Sequence, residues 1–258
     1  MKWLILRGLV REQRHWGDFK KQFENDLKKN DPDAQIFALD FPGFGTEAHR
    51  YSPSTIAEIV TDLRSRWKKL AEADPSSEWG LFAMSLGGMV SLDWCSRYPN
   101  DFKKLVLVNS SVNGLSPIHH RMKPKNYPKL FSMLLKDEIA KREKQILEMT
   151  TNLQGADLEM RAKDYASFAL EVRKRDAIFQ LIAAIRFRPP QKVTTPMLIL
   201  RSLGDELVAP SCSQAIANFY QAPMFTHPAA NHDLPTDAPA WIGEQVNAWL
   251  SSNKPSVK

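Results

Sequence analysis

The chain has 258 residues, a formal charge of +6 and two cysteines, with 43% hydrophobic and 25% charged residues. Those fractions exclude a disordered, collagenous or coiled-coil chain, and the length suffices for one sizeable core. Two cysteines are too few for a disulfide scaffold, no stretch reaches the ~20 apolar residues of a membrane span, and Arg7 cuts the N-terminal apolar run short of a signal-peptide core, so a soluble cytoplasmic protein is expected.

The predicted elements alternate. Residues 2–7 read as a strand, 16–29 as a helix and 34–40 as a second strand. A helix over 55–73 follows the start signal Ser52-Pro53-Ser54-Thr55, then a strand over 78–84, a helix over 86–97 and a strand over 104–109. After residue 190 the pattern resumes with strands 196–202 and 223–227 and helices 211–220 and 238–251, ending in a frayed tail from Ser251. Unalternated apolar runs of four to eight residues suit strands buried on both faces, and their alternation with helices predicts βαβ units. The fold class is therefore α/β, a doubly wound, mostly parallel six-stranded sheet. Between residues 112 and 190 the rhythm breaks. That stretch opens with Asn113-Gly114, closes with Pro189-Pro190, and reads as helices over 127–149, 157–173 and 176–187.

The chemical signal is Leu81-Phe82-Ala83-Met84-Ser85-Leu86-Gly87-Gly88-Met89-Val90, where an apolar strand runs through a serine into a helix. That is the setting of a nucleophile elbow, which needs small residues two positions either side of the serine. Ala83 and Gly87 hold those positions, so G-x-S-x-G is met with alanine first. A helix N-cap is the other use of a serine here. A serine nucleophile needs a base and an orienting acid. Asp205 follows Gly204 just past the fifth predicted strand, with Glu206 as the fallback acid, and His232 follows the last strand in Ala229-Ala230-Asn231-His232-Asp233. Position separates His232 from His15, His49, His119, His120 and His227, which suit surface or packing roles. The oxyanion donors would be the backbone N–H groups of Leu86, at the helix start, and Leu9, in the loop after the first strand. Cys95 reads as a buried helix residue, and Cys212 is given no role.

Together these residues resemble the α/β-hydrolase superfamily, specifically its lidded serine esterases. The likeness rests on Gly8 with Trp16 eight residues on, Asp40-Phe41-Pro42-Gly43-Phe44-Gly45, the elbow, Gly204-Asp205 and Asn231-His232. It implies a core of 1–111 and 191–258, a helical cap over 112–190, and a chain that begins at the third strand of the full fold. It also implies that Asp40–Gly45 forms a loop over the site. Where such relatives have His-Gly this chain has Arg7-Gly8, which would place a guanidinium near the site mouth. The implied chemistry is ester hydrolysis through an acyl-enzyme, with Ser85, His232 and Asp205 as the triad and no cofactor. No metal-binding motif is present.

The excess charge falls wholly within 112–190, which holds 15 basic and 9 acidic residues. Leu130, Phe131, Met133, Leu134, Leu135, Phe168, Phe179, Leu181 and Ile182 would line an acyl pocket while the basic faces look outward. The chain somewhat resembles esterases that remove a methyl ester from a carrier-bound acyl chain in biotin synthesis. That likeness raises an acidic acyl carrier protein as a partner for the cap, and nucleic acid is not expected. A C–C bond hydrolase or lyase with the same triad, or a ligand receptor that keeps the triad, are the other readings.

Overall fold

Six short strands pair side by side, all parallel, in the computed structural model, which describes residues 1–135, 138–170 and 172–252. They are β1 (Lys2–Leu6), β2 (Gln35–Ala38), β3 (Trp79–Met84), β4 (Lys104–Val108), β5 (Met197–Ser202) and β6 (Met224–His227). The order across the sheet is β2-β1-β3-β4-β5-β6. Every residue of β3 is buried, as are all but the first of β1 and β4, which is why these segments are continuous apolar runs. The edge strands β2 and β6 are only partly covered.

Helices cover both faces. On one side α2 (Ile56–Glu72), α3 (Leu86–Arg97) and α9 (Ser211–Tyr220) bury Leu63, Trp67, Val90, Trp94 and Ile216 against alternate strand residues such as Leu4, Leu81 and Leu105. On the other, α1 (Phe19–Lys28) and α11 (Pro239–Ser252) bury Phe23, Leu27, Val246 and Trp249 against Trp3, Ile5 and Phe82. The predicted doubly wound sheet is what the chain forms. Parallel register carries Leu6 beside Ala83, Met84 beside Val108, and Ser202 beside His227, so the carboxyl ends of the strands share one edge. Strand order reverses at β1 and β3, and a crevice opens at such a point in an open α/β sheet.

Between β4 and β5 lie α4 (Ile118–Arg121), α5 (Tyr127–Leu135), α6 (Ile139–Thr150), α7 (Gly155–Phe168) and α8 (Lys174–Arg186), and α10 (Leu234–Asp237) precedes α11. Some boundaries differ from those the sequence predicts. The predicted helix over 127–149 is two helices, with residues 136–137 outside the described part. The one predicted to reach residue 173 ends at Phe168, and Trp16 belongs to a 3-10 turn (Gln13–Trp16) before α1. Ser251 and Ser252 continue α11, and the rest of the expected tail is outside the described residues. No helix among the described residues is long and apolar enough to cross a membrane.

Candidate active site

The site grows out of one tight turn. Ser85 leaves β3 with φ 54° and ψ −117°, a left-handed conformation that costs a non-glycine residue about 1–3 kcal/mol and persists only when neighbours dictate it. They do so here. The Ser85 N–H still donates to Val108 O at 2.9 Å, while its own carbonyl already accepts the Gly88 N–H at 2.9 Å and the Ser110 hydroxyl at 2.8 Å. The residue is thus the last of the strand ladder and the first of the helix at once. Gly87 is required because a Cβ there would lie 2.7 Å from the carbonyl oxygens of Leu6 and Arg7. Gly8 brings the loop after β1 against the serine, since its own Cβ would stand 3.1 Å from Ser85 Cβ. Ala83, the departure from glycine, is a fully buried strand residue whose methyl joins the core. Leu86 opens α3, and Leu9 follows Gly8 into the cavity wall.

His232 and Asp205 meet as expected. The His232 Nδ1 and Asp205 Oδ2 are 2.7 Å apart and both side chains are buried. Asp205 Oδ1 accepts the N–H groups of Leu207 and Val208 at 2.9 and 2.8 Å, which fixes the carboxylate. The backbone of His232 is held at both ends: Asn231 Oδ1 accepts its N–H at 2.7 Å, and Asn109 Nδ2 donates to its carbonyl at 2.8 Å. Glu206, the fallback acid, is exposed and pairs with Lys125 instead. The other histidines lie elsewhere. His15 is buried under α7, His120 faces Ser211, and His227 packs its ring on Trp241.

Ser85 and His232 line one cavity of about 590 Å³, with Arg7, Gly8, Leu9 and Val10 on one side. Residues 112–190 supply much of the rest, including Met122, Leu130, Ile146, Met149, Ile178 and Leu181. Of the residues expected to line it, Leu130 and Leu181 do. Ile182 does not line it, Phe131 is mostly exposed, Phe168 packs against His15, Phe179 is stacked by Arg175, and the side chains of Met133, Leu134 and Leu135 are outside the described part.

One expectation is refined and one corrected. Arg7 does line the cavity, but its guanidinium is not free: it is buried, lies over the Trp16 ring, and forms a bidentate pair with Asp233, at 3.2 and 2.7 Å. Burial alone would raise the Asp233 carboxyl, but the Arg7 charge outweighs it and holds the pKa low. The Asp40–Gly45 loop does not border the main cavity. Asp40 accepts from the Gln13 and Thr46 N–H groups at 2.6 and 2.9 Å, buttressing the loop after β1, while Gly43, Phe44 and Gly45 border a separate small cavity.

Sequence reading also missed Asn109, Arg11, Arg142 and Glu143. Asn109 follows β4 with φ 44°, at the edge where ligands bind, and that position was its one signal. Arg11 and Glu143, 132 residues apart, form a buried ion pair beside the cavity, and Arg142 Nε lies 3.6 Å from the same carboxylate. Burial would raise Glu143, but Arg11 and His15 hold it ionised. His15, 3.4 Å from that carboxylate, is neutral, because burial first and then Arg11 push it down to about 3. Cys95 and Cys212 are buried free thiols, and burial pushes Cys95 up to about 12, away from nucleophilic use. Among the described residues no group of acidic, histidine or cysteine side chains is placed to hold a metal.

Comparison with solved structures gives the fold independently. The chain superimposes on an esterase from Thermogutta terrifontis (TM-score 0.70, 16% identity, 98% of this chain and 90% of that one). It also matches a serine hydrolase from Cycloclasticus zankles (0.75, 15%, 98% and 90%) and a 2-hydroxy-6-oxo-6-phenylhexa-2,4-dienoate hydrolase from Rhodococcus sp. strain RHA1 (0.73, 15%, 97% and 90%). At the sequence level, an uncharacterized protein of Schizosaccharomyces pombe is 35% identical over 89 residues, which are 34% of this chain and 16% of that one. The hydrolase family described as serine aminopeptidase, S33, matches residues 13–237. With that match spanning most of its length, the chain belongs to this family of α/β-hydrolases.

Proposed function

We propose that the chain is a serine hydrolase that cleaves a carboxylic ester through an acyl-enzyme. The observation that carries this reading is the buried 2.7 Å His232–Asp205 hydrogen bond on the wall of the cavity that the strained Ser85 turn enters. Ser85 Oγ attacks the acyl carbon as His232 Nε2 takes its proton, and Asp205 steadies the imidazolium. The backbone N–H groups of Leu9 and Leu86 receive the negative oxygen, the latter at the positive end of α3. Collapse breaks the bond to the leaving alcohol, to which His232 returns the proton. Water, deprotonated by the same histidine, then releases the acid and regenerates Ser85.

Helices 112–190 act as the cap over this cavity. A methyl ester on a carrier-bound acyl chain is the finer substrate, with an acidic carrier protein docking on basic residues of the cap such as Lys174 and Arg175, both exposed. The reading of soluble cytoplasmic enzyme without cofactor accompanies it.

A fluorophosphonate probe tests the nucleophile without knowledge of the substrate: the wild-type chain is labelled at Ser85 and Ser85→Ala is not. Equal labelling of both overturns the assignment. A panel of esters and C–C diketones then separates ester cleavage from hydrolysis of a carbon–carbon bond by the same residues.

A further inference from the structure

The cavity wall is electrostatically one-sided. Six cationic side chains line it, Arg7, Arg11, Arg142, Arg173, Lys174 and Arg175, against one acid, Asp233. Asp233 is already neutralised by its bidentate pairing with Arg7. Arg11 is matched by Glu143 and Arg173 by Asp176, both buried behind the wall. Lys174 and Arg175 are exposed, which leaves Arg142 as the buried one, whose acid partner among the described residues is the Glu143 carboxylate already engaged by Arg11, and whose Nη2 donates to Leu170 O at 3.2 Å. His15 adds no compensating or opposing charge, being neutral. Glu12 and Asp40, the other nearby acids, do not line the cavity and are engaged by Arg14 and by the Gln13 and Thr46 N–H groups.

Burying a charge without a partner is strongly unfavourable, so a wall with one buried guanidinium in excess is built for an anion to complete it. A second feature points the same way. Arg142 Nε and Arg11 Nη2 have no hydrogen-bond partner, although the two side chains are only 8% and 6% exposed. The reach is short: Gly8 abuts Ser85, and Arg11 lies three residues beyond it, so the Gly8 and Arg11 Cα atoms are at most about 11 Å apart.

We propose that this cavity binds a substrate bearing a carboxylate, held by Arg142 and Arg11, several carbons from the ester that Ser85 attacks. One buried positive charge in excess suits a monoanion such as a carboxylate. This site takes the free substrate rather than a carrier-bound one: the half-ester of a medium-length dicarboxylic acid, with an aliphatic linker against Ile146, Met149 and Leu181. This rests on the hydrolase reading of the Ser85 site, but the binding step can be tested apart from it.

The probes are monoethyl adipate and ethyl hexanoate, equal in acyl length and differing by the distal carboxylate. In the binding arm, the Ser85→Ala protein is titrated calorimetrically with each at pH 7. Monoethyl adipate is expected to bind at least about tenfold tighter, as charge-assisted hydrogen bonds predict. Adding Arg142→Gln should remove that preference, and Arg11→Gln is the second variant, with circular dichroism melts showing that each is folded. In the turnover arm, the wild-type protein is assayed on both esters by acid release. Equal binding of the two probes, or binding of neither, overturns the carboxylate site. So does a preference that survives in both folded arginine variants. Selective binding without turnover of either ester keeps the carboxylate site and overturns the hydrolase reading, whereas turnover without preference does the reverse.

Discussion

The sheet core and the inserted helices are held by different forces. In the core, strand residues such as Leu4, Leu81, Phe82 and Val106 are fully buried among apolar neighbours. Among the described residues, segment 112–190 has a small apolar cluster of its own around Leu147, Leu158 and Tyr165, and it enters the main core through Val112, Ala183 and Phe187. Polar anchors also tie it there. Asp176 Oδ1 accepts the Ser52 N–H at 2.9 Å, Gln180 Oε1 accepts the Val10 N–H at 2.9 Å, Glu143 meets Arg11, and the Asp233 N–H donates to Thr150 O at 2.6 Å. Hydrophobic burial is non-directional and tolerates small shifts, whereas buried polar pairs fix a position or fail. The core therefore supplies rigidity, and the insert supplies a wall whose placement depends on a few directional contacts.

The largest expected effect lies on the core side. Ser85→Ala should reduce ester turnover by about 10⁵-fold or more, and Asp205→Asn by about 10³–10⁴-fold, measured as kcat/KM. Neither change should alter the melting of the insert, which separates chemistry from architecture.

Gly87→Ala sharpens the contrast, because the new Cβ would fall 2.7 Å from two backbone oxygens of β1 and its following loop. A loss of about 1–3 kcal/mol in denaturant unfolding is expected, with reduced activity as Gly8 and Leu9 are displaced. Unchanged stability would mean that the strand end yields readily.

Asp176→Ala attacks the insert instead. It leaves the buried Ser52 N–H unpaired and removes the acid partner of Arg173, for about 1–3 kcal/mol. Hydrogen exchange should rise in α8 while β3 and β4 stay protected. Exchange that rises equally in both regions would break the comparison.

A last effect is one of pH, comparable in size to the preceding one between pH 6.5 and about 5. His15 is neutral in the folded chain, lowered from 6.5 to about 3 by burial and then by Arg11. The unfolded chain binds a proton there that the folded one refuses, so stability is full above pH 6.5 and falls as pH drops toward 3. From this group the slope approaches about 1.4 kcal/mol per pH unit. His15→Phe keeps an aromatic ring against Tyr165 and Phe168 and should remove that slope between pH 5 and 6.5, where Glu143 stays ionised in both states.

How much was legible in the sequence follows the same division. The six strands, the elbow at Ser85 and the Asp205 and His232 loops were readable, because each depends on residues adjacent in the chain. An apolar run makes a buried strand, and a small-residue turn lets a serine sit at φ 54°. The break between α5 and α6 and the early end of α7 were not readable, since helical propensity runs on until packing stops it. Arg7 and Arg11 could be seen only as charges. Whether they faced solvent or carboxylates 226 and 132 residues away was unknowable from spacing.

The sequence by itself determined the α/β pattern, the order of serine, acid and histidine, and a net charge confined to 112–190. Only the tertiary structure decided where that charge acts. Folding turned Arg142 inward and paired Arg7 and Arg11 with buried carboxylates, leaving one buried guanidinium in excess on the wall of the cavity that Ser85 lines. The reason is physical. Local structure follows from neighbours in the chain, while the energy of a charge depends on the medium and the partners around it, which exist only once distant segments meet.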